Sequence, residues 1–127
     1  GPAKEAVSGV IYDVTSTPSS FAEANADVVT TFLKVTSEMN TMYAENPEPM
    51  YEAISIEAGM DMEGTKAILA VMAFMSAETQ LSDQWMGKWL AGDLKRQALA
   101  LEAAGKITAL DDYDALVNTT YLAAAAK

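Results

Sequence analysis

The chain has 127 residues, half of them hydrophobic, and a formal net charge of −10. This length suits one domain with its own core, and the negative charge argues against binding to nucleic acid or to an anionic membrane surface. The chain has no cysteine and no histidine, which excludes disulfides, thiolate catalysis and Ser-His-Asp triads.

Residues 10–17 predict a strand, because most of them are β-branched or aromatic. A strand cannot satisfy its backbone hydrogen bonds alone, so we expect it to pair outside the helices that follow. Asp13 lies in the middle of this apolar stretch, where an unpaired buried carboxylate would be costly. Alternation leaves two positions open for Asp13: a solvated face, or a site that awaits a cationic partner.

The residues after Pro18 predict helices. Two serines precede a short helical turn, and Asn25 is the predicted N-cap of a long helix. That helix is expected to end at the "ENPEP" stretch, residues 45–49, because a residue before proline avoids helical conformation. A second helix is predicted over residues 49–58, with Gly59 as its C-terminal stop.

The second half of the chain also predicts helices. Asp61 is the predicted cap of a helix over residues 62–74, and Ser76 or Ser82 caps the next one. Gly105 is a second C-terminal stop. We expect the helices to share one core, formed by apolar residues at helical spacing: Phe32, Val35, Met39, Ile54, Ile68, Val71, Leu94 and Leu101.

No catalytic, cofactor or metal site is predicted. The eight methionines fit core packing better than soft-metal binding. The acidic residues of "LDDYD", residues 110–114, lack the glycine turn and the late glutamate of a calcium loop. Trp85 and Trp89, four residues apart, are interpreted as packing residues rather than a ligand platform. Composition does not exclude catalysis by paired carboxylates, but no spacing identifies such a pair, and the chain is not expected to be an enzyme.

Three stretches in order resemble one family. They are "YDVTSTPSSFAEANADVVTTFLK" (residues 12–34), "AENPEPMYEAISIEAGMDMEGTKAIL" (44–69) and "LALEAAGKITALDDYDALVNTTYL" (99–122). Their order and spacing are similar to periplasmic substrate-binding proteins of the taurine, sulfonate and nitrate ABC-importer family. Ala26 stands where that family usually has proline.

The resemblance implies a fold. Members have a two-lobe α/β fold of the periplasmic-binding-protein type II class, and this chain resembles only the C-terminal part. As supplied, the chain would be mainly α with one or two short strands. Residues 1–17 would be the segment or strand that crosses between the lobes, and residues 18–127 the C-terminal helical part of the first lobe. The missing N-terminal part of the parent chain would supply the partner strands, and its absence would account for the lack of a signal peptide.

The resemblance also implies a ligand site. Asp13 lies where taurine-type members place a carboxylate against the ligand's ammonium group, which fits a charge-assisted hydrogen bond. Tyr12 would lie beside it in the cleft. A sulfonate group would need other donors, and the single arginine, Arg96, is far along the chain. Those donors are therefore expected in the missing part.

Two functions are carried forward. The first is the solute-binding component of an ABC importer. It would capture a small amino-sulfonate (taurine-like) or related solute between two closing lobes in the periplasm and deliver it to a membrane permease. The second is a self-contained helical interaction or structural domain without a small-molecule site. Nucleic acid is not an expected partner of either.

Overall fold

The structure is a computed structural model that describes residues 11–127. Residues 1–10 lie outside the described residues. They include the first part of the predicted crossing segment and Val10, the first residue of the predicted strand. The helices in the described part are α1 (Ser19–Ala24), α2 (Ala26–Glu45), α3 (Glu48–Ala58), α4 (Met62–Leu69), α5 (Ala77–Leu81), α6 (Trp89–Ala103), a 3-10 helix (Asp114–Leu116) and α7 (Thr120–Ala125).

The prediction of a strand is wrong for every residue that the structure describes. Residues 11–18 have no regular secondary structure. Their β-branched composition favours an extended backbone, but a strand forms only where a neighbouring strand supplies hydrogen bonds. Here the side chain of Tyr12 contacts a helix instead, and the rest of the segment is exposed.

The predicted fold class is also wrong. Residues 11–127 contain helices and no sheet, so the part of the chain that the structure describes is a small helical domain. A two-lobe α/β fold of the periplasmic-binding-protein type II class is not indicated. The physical reason is that a parallel sheet must be built from several strands, whereas only residues 10–17 had strand composition.

Local signals at the helix ends are largely confirmed. The Asp61 carboxylate accepts a hydrogen bond from the Gly64 backbone N–H (2.7 Å) at the start of α4. Ser76, rather than Ser82, caps α5 by accepting from the Thr79 N–H (3.2 Å). Gly59 ends α3 with φ of 62°, a left-handed conformation that glycine adopts without strain. Asn25 precedes α2 as predicted, but its side chain donates back to the Phe21 carbonyl instead of capping α2.

Helix α4 is shorter than predicted and ends at Leu69 instead of residue 74. Phe74 and Met75 are held by tertiary contacts instead of helical hydrogen bonds. The ring of Phe74 packs edge-on against Tyr43 of α2, with 4.8 Å between centroids. The Met75 carbonyl accepts from Asn40 Nδ2 (3.0 Å) and from Gln80 Nε2 (2.8 Å).

The helices pack in small groups. Helix α7 packs against α2 and α5, α3 packs against α4, and α6 packs against the 3-10 helix. Ala91 and Ala98 of α6 form a buried cluster with Tyr113, which we call the α6 cluster. Leu94, Ala109 and Val117 pack around it. Among residues 11–127, Leu122 of α7 is the most deeply buried apolar residue, with 3% of its surface exposed.

The predicted core is mostly wrong. Of its eight members only Ile54 and Leu94 are half-buried; the other six are exposed. On α2 the half-buried apolar residues include Val29 and Leu33, each one position after the predicted Val28 and Phe32 positions. One position rotates a residue by about 100° around a helix. The predicted apolar face of α2 is therefore uncovered.

We call that uncovered face the α2 stripe. Its members are large apolar side chains at helical spacing with at least a third of their surface exposed: Val28, Phe32, Val35, Met39 and Met42. The described residues therefore leave much of their apolar surface open to solvent or to other polypeptide.

Candidate functional site

The clearest polar arrangement joins the N-terminal segment to α6. The Tyr12 hydroxyl donates a hydrogen bond to Asp93 Oδ2 (2.8 Å) and accepts one from Gln97 Nε2 (3.0 Å). Gln97 Nε2 also donates to Asp93 Oδ2 (2.6 Å). These contacts connect residues more than 80 positions apart in the chain, so they fix the segment relative to the helix.

Asp93 is a buried carboxylate with several partners. Only 5% of its surface is exposed, and its Oδ1 forms an ion pair with Arg96, whose side chain lies mostly in solvent. The hydrogen bonds from Arg96 and Gln97 lower the pKa of the Asp93 carboxyl, although burial acts in the opposite direction. Asp93 is therefore ionised at neutral pH and acts as an acceptor for all three neighbours.

Aromatic rings form a row beside this carboxylate. Tyr12 contacts Trp89 edge-on, with 5.5 Å between centroids, and Trp89 contacts Trp85 in the same way at 5.4 Å. Both spacings are typical of favourable edge-to-face pairs. Trp89 therefore packs between two aromatic neighbours. Burial and the hydrogen bond to Asp93 raise the pKa of the Tyr12 phenol.

The two predicted ligand-binding residues have different environments. Tyr12 is half-buried, and its hydroxyl is occupied by Asp93 and Gln97. Asp13 is exposed, and no other described residue forms a hydrogen bond or an ion pair with its carboxylate. Of the two positions that the sequence left open for Asp13, the described residues place it on a solvated surface. A cationic group from outside the described chain would find this carboxylate accessible.

Asp93 and Gln97 were missed by the sequence analysis. The signal was present: Trp89, Asp93 and Gln97 follow one another at steps of four, which places them on one face of α6. The sequence offered no reason to connect that face with Tyr12, because the contact spans most of the chain. Arg96 pairs with Asp93 through Nη2, and the rest of its guanidinium lies mostly in solvent.

Other features of the described residues supply no second site. An open, shallow groove lies between α2, α5 and α7, lined by residues that include Lys34, Glu38 and Glu78. Within residues 11–127 no group of three or more acidic side chains is placed to bind a metal ion. No helix in the described part is both long enough and apolar enough to cross a membrane.

No family model, curated protein or solved structure matches the chain.

Proposed function

We propose that this protein is the solute-binding component of an ABC importer. It captures a small amino-sulfonate, such as taurine, or a related solute in the periplasm and delivers it to a membrane permease. The observation that supports this function best is the exposed Asp13 carboxylate, which directly follows Tyr12. A carboxylate binds a primary ammonium by a charge-assisted hydrogen bond. The resemblance of residues 12–34 to the taurine-importer family supports the same ligand class.

In this proposal the described residues would supply the ammonium half of the site. The one arginine is held at Nη2 by Asp93, and we expect further sulfonate donors to come from polypeptide beyond the described residues. The exposed α2 stripe is in keeping with other polypeptide covering that helix face. The proposal concerns the chemistry at Tyr12 and Asp13 and does not depend on a sheet.

The test compares two ligands that differ in the amine. Titration calorimetry measures binding of taurine and of ethanesulfonate, which lacks the amine, to the product of the complete gene that encodes this sequence (the intact gene product). The variants are Asp13→Asn and the control Asp111→Asn, which removes an exposed carboxylate elsewhere. In the proposed site the bound ligand and its cleft bury the Asp13 carboxylate. Losing one partner of a buried charge pair costs about 2–5 kcal/mol, so Asp13→Asn should weaken taurine binding by about 30-fold or more.

The remaining results decide between roles for Asp13. Ethanesulfonate affinity should be unchanged in Asp13→Asn, and the control should leave both affinities unchanged. Equal losses for the two ligands would reject Asp13 as the amine receptor. A wild-type intact gene product that binds neither taurine, other sulfonates nor nitrate would reject the proposed function itself.

The α2 stripe favours a second candidate function, a helical interaction domain. Five large apolar side chains on one helix face are exposed, and contiguous exposed apolar surface marks interaction sites in soluble proteins. This function predicts a stable complex formed through α2 and no binding of small solutes. Light scattering of the 127-residue chain, with Phe32→Ala as the variant, separates it from the first function: an oligomer that Phe32→Ala dissociates favours the interaction domain.

A further inference from the structure

The segment before α1 depends on side chains for its position. Residues 11–18 have no regular structure, so no backbone ladder holds them. Tyr12 is half-buried, and the seven other residues of the segment are exposed. The position of Asp13 is therefore set through its neighbour, because consecutive Cα atoms across a trans peptide are about 3.8 Å apart.

Helix α6 provides three contacts for Tyr12 on one face. Trp89 contacts the ring, Asp93 accepts from the hydroxyl, and Gln97 donates to it. The three residues are spaced four apart, so a single rigid helix presents them together. Such a face fixes both the plane of the ring and the direction of the hydroxyl.

The Asp93 carboxylate is oriented by residues other than Tyr12. Arg96 binds Oδ1, and Gln97 donates to Oδ2. The carboxylate is buried to 95%, so it cannot turn to solvent. Since both Arg96 and Gln97 keep it ionised, the phenol of Tyr12 must be the donor in their shared hydrogen bond.

We infer that Asp93 is a positioning residue for ligand recognition: through the Tyr12 hydroxyl it sets the place of the Asp13 carboxylate that receives the ligand's ammonium group. This inference rests on the proposed function of Asp13. It assigns no ligand contact to Asp93. It adds the expectation that selectivity for an amine depends on a helix face about 80 residues away in sequence.

The experiment removes the link and keeps the rings. Tyr12→Phe in the intact gene product retains the edge contact with Trp89 and deletes the hydroxyl, and Asp93→Asn removes the charge at constant shape. Tyr121→Phe, a hydroxyl on α7 with no hydrogen-bond partner among the described residues, is the matched control. Calorimetry measures taurine and ethanesulfonate for each variant, alone and combined with Asp13→Asn.

A positioning role predicts a change in selectivity. Tyr12→Phe and Asp93→Asn should each weaken taurine binding by about tenfold, the typical worth of one hydrogen bond to a charged group. Ethanesulfonate affinity should change by less than about twofold, and in the Asp13→Asn background Tyr12→Phe should add less than about twofold for taurine. The control should change neither ligand. If Asp93→Asn lowers the fraction of folded protein, the affinities of Tyr12→Phe decide the test.

Two results would overturn the inference while the proposed function stands. One is equal weakening of both ligands by Tyr12→Phe, which marks a structural contact only. The other is unchanged taurine affinity in Tyr12→Phe when Asp13→Asn still abolishes the preference for the amine. If the wild type shows no preference for taurine over ethanesulfonate, the proposed function fails first and the inference fails with it.

Discussion

Ala91 and Ala98 of the α6 cluster and the members of the α2 stripe are apolar side chains at helical spacing, yet the two alanines are buried and the stripe is not. Tyr113 is 9% exposed because Ala91 and Ala98 leave room for its ring against α6. Phe32 is 53% exposed, and its neighbours in the stripe are similar. The difference teaches that helical period identifies the residues that share a face, whereas burial depends on whether another element reaches that face.

The largest expected effect concerns the buried side of this comparison. Tyr113→Ala should lower the free energy of unfolding by about 3 kcal/mol, since truncating a buried aromatic ring leaves a cavity. The substitution also leaves the Leu110 N–H, which donates to the Tyr113 hydroxyl (3.0 Å), without its partner. Urea unfolding followed by circular dichroism measures the loss. A change below about 0.5 kcal/mol, typical of surface sites, would show that the α6 cluster does not stabilise the chain.

The helix cap at Asp61 is a local contact that needs no neighbouring helix, and it provides a reference value for the comparison. Asp61→Ala removes the carboxylate that accepts from the Gly64 N–H at the start of α4, and losing an N-cap costs about 1 kcal/mol. The same unfolding experiment measures it. Asp61→Asn is the control, because asparagine also caps helices well. Equal losses for alanine and asparagine would mean that the capping bond is not what stabilises this end.

The exposed side of the comparison should respond weakly. Phe32→Ala in the 127-residue chain should cost about 0.5 kcal/mol or less, because the ring is already largely in solvent. In the intact gene product the same substitution should cost about 3 kcal/mol if other polypeptide covers the α2 stripe. Chemical unfolding of both preparations shows whether polypeptide beyond the 127 residues covers the α2 stripe. A large loss in the short chain alone would indicate that copies of it associate through α2.

The smallest effect tests the network next to the α6 cluster by pH. Burial and the hydrogen bond to Asp93 raise the pKa of Tyr12 above its ordinary value of 10.0. A group with a raised folded-state pKa contributes stability that is complete below the unfolded value and is lost as pH rises through the folded one. Wild-type stability should therefore decline above pH 10 more than that of Tyr12→Phe.

Two measurements check this prediction. Tyrosinate absorbance should show one fewer late-titrating group in Tyr12→Phe, and thermal unfolding at several alkaline pH values should give the stability difference. Tyr121→Phe serves as the control. If the stability of the wild type and of Tyr12→Phe declines equally with pH, the hydrogen bond from Tyr12 to Asp93 does not contribute to stability.

The sequence by itself determined the helical segments and most of their ends. Asp61 and Ser76 cap their helices, and Gly59 and Gly105 stop theirs with positive φ. These features depend on contacts within a few residues, so a single turn of chain is enough to specify them. The N-terminal limit of α2 at Asn25 was predictable for the same reason, although the partner of its side chain was not.

Only the tertiary structure decided which faces are buried and where residues 11–18 lie. The strand composition of that segment had no partner strand in the described chain, so the contacts of one side chain, Tyr12, set its position. The resemblance singled out Tyr12 and Asp13, and of these only Tyr12 belongs to the observed network. Asp93 and Gln97 could not be predicted, because they meet Tyr12 across more than 80 residues. Contacts of that length depend on how helices pack, and local sequence patterns do not contain that information.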